Sequence, residues 1–319
     1  MVTSILLQAA FTIAVAGPAT SPEYLPHHVA GAGGFTRAGA QVVLRPTRSA
    51  ADAAEALARG TVDLAATSVD AALRLGHVNG RPPRLVMGLT SVPPVALLVS
   101  TAHGEGVRAL ADLADKPIGI PAPGSPEQAA LAWLLARARP APAQITILSH
   151  GERGLAASIA KGEVVAGMIG DPWATRLLAM GQARALVDLR RPEEAARWLG
   201  GPTVHAGLFV RGEQPPSDAE LEPVLRAVLW ALARVQSEPP AEIAAGLPVS
   251  VVGLPEDFAA RVLGARRIYL PAGVVTAEAL EASIDLARAR ATLPAAVNVP
   301  RDAGKLLLTR PLQKLIDGR

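Results

Sequence analysis

The 319-residue sequence predicts an α/β fold built as two similar lobes, each a sheet flanked by helices. Three observations carry that expectation. Short apolar runs alternate with Ala-rich helical segments through the first two thirds of the chain, a pattern that predicts α/β layers with largely parallel sheets. From Asp218 to Ala289 the pattern becomes mainly helical. Finally, Ala54–Val62 (AEALARGTV) and Ala156–Val164 (AASIAKGEV) repeat at an offset of 102 residues. Leu57 matches Ile159, Arg59 matches Lys161, Gly60 matches Gly162 and Val62 matches Val164. Each copy reads as a helix, a glycine stop and a strand that runs into a new helix. Coincidence in an Ala-rich sequence is the alternative.

The expected strands are Phe11–Ala16, Gln41–Arg45, Asp63–Ala66, Arg84–Leu89, Val95–Ser100, Pro117–Ile120, Gln144–Ser149, Val165–Ile169, Ala185–Leu189 and Val204–Val210. The expected helices are Ala50–Arg59, Val69–Leu75, Val107–Ala114, Pro126–Arg137, Gly154–Lys161, Pro172–Met180, Leu221–Val235, Pro255–Leu263 and Thr276–Ala289. Ser49 and Ser125 are good N-cap residues, and Pro126 suits a first helical position. Leu221, Val224, Leu225, Val228, Leu229 and Leu232 recur at helical spacing, and Trp230 beside them reads as a packed helix residue. Met1–Gly17 has an apolar middle like a signal peptide. It lacks a preceding Lys or Arg, and it is too short, and interrupted by Gln8, for a membrane span. Phe11–Gly17 reads instead as a buried first strand entering a glycine turn, leaving no convincing export signal at this start.

Composition removes several functions. The chain has no cysteine, which excludes disulfides, thiolate zinc sites, iron–sulfur clusters and thiol nucleophiles. Half the residues are apolar and the net charge is only +3, so disorder is not expected. Aromatic residues make up 3%, too few for a surface that stacks bases. Basic residues are dispersed, with Arg190-Arg191 and Arg266-Arg267 the only adjacent pairs, so no nucleic-acid partner is expected. Walker, dinucleotide and nucleophile-elbow motifs are absent, as is H-E-x-x-H. Of the six histidines only His27 and His28 are neighbours, and adjacent side chains do not converge on one metal. No metal, no cofactor and no catalytic residue is expected. Asp171 and Glu127 could serve as acid or base, but no paired-carboxylate arrangement stands out.

In open α/β sheets, ligands bind beyond the carboxyl ends of the strands, where helix N-termini offer free N–H groups. The turns at such positions give the candidate ligand-binding residues. These are Gly17 and Tyr24 after the first strand, Thr47 and Ser49 after the second, and Thr67 and Ser68 after the third. Gly124 and Ser125 follow Ile118–Ile120, and Asp171 and Trp173 follow Met168–Gly170. His205 lies in a strand expected to run between lobes. Tyr24 and Trp173 would be aromatic walls. Each hydroxyl could equally be a simple helix cap, and His205 a satisfied strand histidine.

Several segments resemble one family in order and spacing. Gly33-Gly34-Phe35-Thr36-Arg37-Ala38-Gly39 resembles its GFF-x-x-x-G helix end, and Ala53–Ala66 its AL-x-x-G-x-(V/I)-D segment. Val107–Pro121 (VRALADLADKPIGIP) is similar to its dL-kGK-(V/I)-(G/A) opening of the second lobe. Gly170-Asp171-Pro172-Trp173 resembles its x-(E/D)-P-W turn, and Ile268-Tyr269-Leu270-Pro271 its C-terminal portion. The sequence thus resembles periplasmic-binding-protein type 2 substrate-binding proteins, in the nitrate/sulfonate/taurine (SsuA) and THI5/NMT1-like group.

That resemblance implies two mixed-sheet lobes joined by two hinge strands, with Val95–Ser100 and Val204–Val210 as the crossovers. Residues 1–95 and 208–319 would form the first lobe and 96–207 the second. It implies a monomeric, non-enzymatic periplasmic subunit of an ABC importer, whose partners are a small-molecule ligand, a permease and an ATPase. Hinge closure over a sulfonate-, nitrate- or pyrimidine-like ligand would be its mechanism. The cysteine-bearing enzyme branch that resembles this group is disfavoured by the absence of cysteine. A cytoplasmic enzyme or ligand sensor on the same fold is the alternative.

Overall fold

A computed structural model of the chain describes residues 11–103, 106–123, 125–139, 144–289, 293–300 and 302–318. Its ten strands are β1 (Phe11–Val15), β2 (Val42–Pro46), β3 (Leu64–Ser68), β4 (Arg84–Thr90), β5 (Val95–Ser100), β6 (Pro117–Ile120), β7 (Thr146–Ser149), β8 (Ala166–Gly170), β9 (Ala183–Asp188) and β10 (Ala206–Val210). All the expected strands are present, with ends shifted by at most two residues. They form two five-stranded sheets, ordered β2-β1-β3-β10-β4 and β7-β6-β8-β5-β9.

The sheets are mixed, as the resemblance implied, with a single reversed strand in each. In the first, β1 pairs in parallel with β2 and β3, and β10 is antiparallel to both β3 and β4. In the second, β6 is parallel to β7 and β8, and β5 is antiparallel to both β8 and β9. Each sheet thus has four strands running one way and a fifth, arriving from the other sheet, running against them. Apolar content explains the placement: β3, β5 and β10 lie inside the sheets and are buried along their whole length.

The sequence repeat occupies equivalent connections. The helix Ala50–Ala58 links β2 to β3, and the helix Gly151–Lys161 links β7 to β8. Gly60 and Gly162 both have left-handed backbones, φ +67° and +74°, which stop the helix and reverse the chain into the strand. The second copy is packed more tightly. Gly119 on β6 pairs with Gly167 on β8, and the helix lies directly on this flat patch. A Cβ at Gly119 would come within 2.1 Å of Leu155 Cδ1, and one at Gly167 within 2.6 Å of Ile159 Cδ1. Leu155 and Ile159 are fully buried there, each contributing about 1.5–3 kcal/mol of apolar burial.

The chain leaves the first sheet through Ser91–Pro94 and returns through residues 200–205. The two crossings run side by side: Thr203 Oγ1 donates to the Ser91 carbonyl at 2.7 Å, and the His205 amide to the Thr90 carbonyl at 2.8 Å. The expected crossover strands differ from this. Val95–Ser100 belongs wholly to the second sheet and Ala206–Val210 wholly to the first, because both ladders need a complete central strand.

Helices also depart from expectation. Residues 107–114 form only a short turn at Leu110–Leu113, since the Asp112 carboxylate accepts from the Arg108 and Ala109 amides at 2.7 and 2.8 Å. Short helices at Leu25–Val29, Pro192–Leu199 and Arg310–Asp317 were not foreseen. The long helix Asp218–Ser237 opens on a Ser217/Glu220 capping box and buries its apolar face on the first lobe. Trp230 on it packs against the Gly34 backbone, as its helical spacing suggested. The part of the signal-like segment before Phe11 lies outside the described residues, and Phe11–Val15 is the expected strand. Among the described residues no helix is long and apolar enough to cross a membrane.

Two outcomes follow from this packing. Gly119→Ala should cost about 1–3 kcal/mol by overpacking Leu155, and Gly119→Val more, as read by urea denaturation. His27 is 0% exposed, neither ring nitrogen has a partner, and burial followed by the nearby His28 holds its pKa at about 3 instead of 6.5. Between those values the unfolded chain binds a proton that the native chain refuses. Stability should therefore fall on acidification below 6.5, by up to about 1.4 kcal/mol per pH unit from this residue. His27→Leu should flatten that slope in denaturant titrations at neutral and mildly acidic pH.

Candidate functional site

A cavity of about 480 Å³ lies between the two sheets. It sits at the carboxyl ends of the parallel strands of both. From the first sheet it is lined by the turn after β1 (Gly17, Ser21, Glu23, Tyr24), by Arg48 and Ser49 after β2, and by Ser68 and Asp70 after β3. From the second it is lined by Pro121, Ser125 and Glu127 after β6, Glu152 after β7, and Asp171 and Trp173 after β8. Pro93, Pro94, Thr203 and His205 of the crossings form one side. This is the place where open α/β sheets bind ligands.

The loop after β1 is fixed from a distance. Gly17, φ +75°, turns the chain out of the strand. The Arg261 guanidinium, only 3% exposed on the helix Pro255–Ala265, donates to the carbonyls of Thr20 and Val252. The buried Tyr269 hydroxyl donates to the Pro22 carbonyl. Burial pushes the Tyr269 phenol up, so it stays protonated and remains a donor. Together these hold Glu23 and Tyr24 against the cavity.

Tyr24 is 3% exposed, and among the described residues its hydroxyl has no hydrogen-bond partner. Burial, then the charges of Glu23 and Asp70, push its phenol well up. Ser68 is 7% exposed and stands at the N-cap position of the helix Val69–Leu75 without its side chain making a cap bond. Both hydroxyls reach the cavity uncommitted. His205 Nε2 lies 2.7 Å from Glu23 Oε1, while Ser21 Oγ donates to Glu23 Oε2 at 3.1 Å. The serine is therefore on the carboxylate and not on the imidazole, which is the wrong order for activating a nucleophile.

Other expected residues are committed elsewhere. Thr47 Oγ1 is within 3.1 Å of the Val15 and Ser49 carbonyls, and Thr67 Oγ1 donates to the Ala50 carbonyl at 2.8 Å. Neither lines the cavity, because each hydroxyl ties a strand end to its neighbouring turn. Ser49 and Ser125 line it, but their Oγ atoms accept from the Asp52 and Gln128 amides as helix caps. Asp171 lines it with one oxygen taken by the Thr175 amide and hydroxyl and by Arg190 Nη1 at 3.0 Å. Trp173 contributes a partly buried wall. Gly124 lies outside the described residues.

Residues outside the turns foreseen as cavity lining include Asp70, Pro93, Pro94, Glu152 and Thr203, while Ser21 and Glu23 fall within the foreseen turn from Gly17 to Tyr24. Asp70 and Glu152 carried a legible signal, an acid in the first turn of a helix that follows a strand. Glu127 occupies the same kind of position, and burial raises its pKa, with Glu152 and Glu23 adding to the rise against its hydrogen bond with Ser125. Among the described residues no group of three His, Asp or Glu is arranged to hold a metal ion.

Comparison with known proteins agrees with this geometry. The periplasmic aliphatic sulphonate-binding protein SsuA from Escherichia coli superposes with a TM-score of 0.70 at 21% identity, covering 92% of this chain and 96% of its own. The periplasmic nitrate-binding protein NrtA from Synechocystis PCC 6803 gives 0.68 at 12% identity, covering 97% and 88%. A cysteine-to-serine mutant of DSZB in complex with biphenyl-2-sulfinic acid gives 0.63 at 18% identity, covering 98% and 100%. These likenesses establish the type 2 periplasmic-binding fold. No match is found among the curated proteins. Residues 21–187, just over half the chain, match the family described as NMT1/THI5 like, and the chain belongs to that family.

Proposed function

We propose that this chain is the solute-binding component of an ABC importer, holding a small molecule between its lobes and closing on it about the two crossings. The observation that carries this reading is the cavity itself. It is walled by strand ends of both sheets, and only the paired crossings Ser91–Pro94 and 200–205 join those sheets covalently. A ligand that touches both walls binds the closed arrangement more tightly than the open one, and that difference is what drives closure. In this reading the expected lobes, 1–95 with 208–319 and 96–207, move against each other with their bounds shifted to the crossings, so that β5 stays whole in the second lobe and β10 whole in the first, and a permease reads the closed form. Delivery to the periplasm and docking on a permease and an ATPase belong to the same proposal. The ligand-contacting groups are Tyr24, Ser68, Trp173 and His205, with Gly17, Ser49, Ser125 and Asp171 shaping their turns. Sulfonates and nitrate enter as candidate ligands through the named fold neighbours, and pyrimidines through the resemblance to the THI5-like group.

The test is a thermal-shift screen against nitrate, alkanesulfonates, taurine, pyrimidines, aromatic acids and bicarbonate, with small-angle scattering on any hit. A true ligand at 100 times its dissociation constant adds about 2.7 kcal/mol of stability and contracts the particle. A broad screen with neither response overturns the reading. Tyr24→Phe should then weaken binding of the hit about 5- to 15-fold by removing one hydrogen bond, with unliganded stability nearly unchanged.

A further inference from the structure

We propose that the cleft selects an organic cation, an amine or amidine on a compact apolar body, over an oxyanion; this deepens the binding-protein reading and rests on it. The argument starts from charge. Five helices open on the cavity, and at four of them the end that would attract an anion already carries one of the chain's own carboxylates, Asp70, Glu127, Glu152 or Asp171; the fifth, Ala50–Ala58, has its N-cap taken by Ser49. Glu23 adds a fifth carboxylate from the loop after β1.

Few cations answer them. Arg48 is the only lysine or arginine among the described lining residues, and its mostly exposed side chain pairs with Asp52 at 3.0 Å. Arg190 is spent on Asp171 and Asp188, and Arg261 on backbone carbonyls. Asp70, Glu127 and Glu152 have no ion-pair partner among the described residues. An entering sulfonate or nitrate would meet this negative surface with no free guanidinium or ammonium to bind it. Like charges at close range in a partly dry cleft repel strongly.

A second observation points to a ligand at the same place. Tyr24 and Ser68 are more than nine-tenths buried as residues, line the cavity, and have hydroxyls without a partner among the described residues. Buried polar groups are normally satisfied, so these two await one. As acceptors they suit the N–H groups of an amine or amidine, with the charges of Glu23 and Asp70 acting on Tyr24 and Glu127 lining the cavity from the second sheet. The remaining walls, Pro93, Pro94, Val95, Leu199 and Trp173, are apolar and fit the body of such a molecule.

The full chain should be titrated calorimetrically with benzamidine, benzyl alcohol and benzenesulfonate, which share a ring and differ in charge. The expected order of affinity is benzamidine, then benzyl alcohol, then benzenesulfonate, with at least about tenfold between the first and last, narrowing as salt rises. Glu127→Gln should lower benzamidine affinity about fivefold or more and leave benzyl alcohol within about twofold, and Asp70→Asn should do the same. Each variant's thermal midpoint would show whether it still folds. Benzenesulfonate binding as tightly as benzamidine, benzamidine failing to bind, or benzamidine affinity unmoved by both variants overturns the proposal. Native mass spectrometry separates the two readings. A sulfonate or nitrate retained by the purified protein overturns the cation and upholds the binding protein, whereas the binding protein itself falls only if the wider screen also finds nothing.

Discussion

The free edge of β3 is the constraint from which the layout follows. This strand is buried along its whole length, so its outward amides and carbonyls cannot turn to water and must be paired by another strand. The chain does not pair them with the next strand in sequence. It pairs them with β10, which arrives only after the second sheet is complete, and β4 then pairs with the far side of β10. Leaving after β4 and returning into β10 puts both crossings next to each other and delivers Thr203 and His205 to the mouth of the cavity. The second sheet solves the same problem in mirror order, with β5 filling the gap between β8 and β9. The cavity between the sheets is thus a by-product of how each sheet closes its buried edge.

The chemistry of that site comes from groups that look ordinary one at a time. A first-turn carboxylate stabilises a helix wherever it occurs. Here several such turns point into one space, so the same residues that settle their helices also set the sign of the cleft. The two aromatic phenols illustrate a division of labour. Tyr269 is spent on a backbone carbonyl and positions the loop, while Tyr24, carried by that loop, remains free to meet a guest.

Much of the fold was legible because it is local. Runs such as Val-Ala-Leu-Leu-Val at 95–99 announce buried strands, and Ser49, Ser125, Pro126, Gly60 and Gly162 mark helix ends by chemistry that needs no tertiary context. The helix Pro192–Leu199 carried its signals too, with Pro192 at the start, Glu193 and Glu194 in the first turn and left-handed Gly200 after the end, but eight residues make a faint period. Val107–Ala114 failed for the opposite reason: good helix formers lost to one side chain, Asp112, that captures two amides. The site was legible as a set of turns, not as a set of contacts. Thr67 stands beside Ser68 in sequence, and only the position of the Ala50 carbonyl decides that the threonine hydroxyl is used up while the serine's is not. The Glu23–His205 pair and the Arg261 and Tyr269 anchors join residues from opposite ends of the chain, which no local pattern can announce.

The late arrival of β10 also orders events during synthesis. The strands of the second sheet, β5 to β9, are contiguous in the chain, so that sheet has all its strands once Asp188 has emerged from the ribosome. The first lobe, though begun earlier, then still has a gap between β3 and β4, with unpaired and strongly apolar edges on both sides. The inserted lobe can therefore mature while its host is incomplete. For that interval the nascent chain displays the kind of sticky, open strand that holdase chaperones capture.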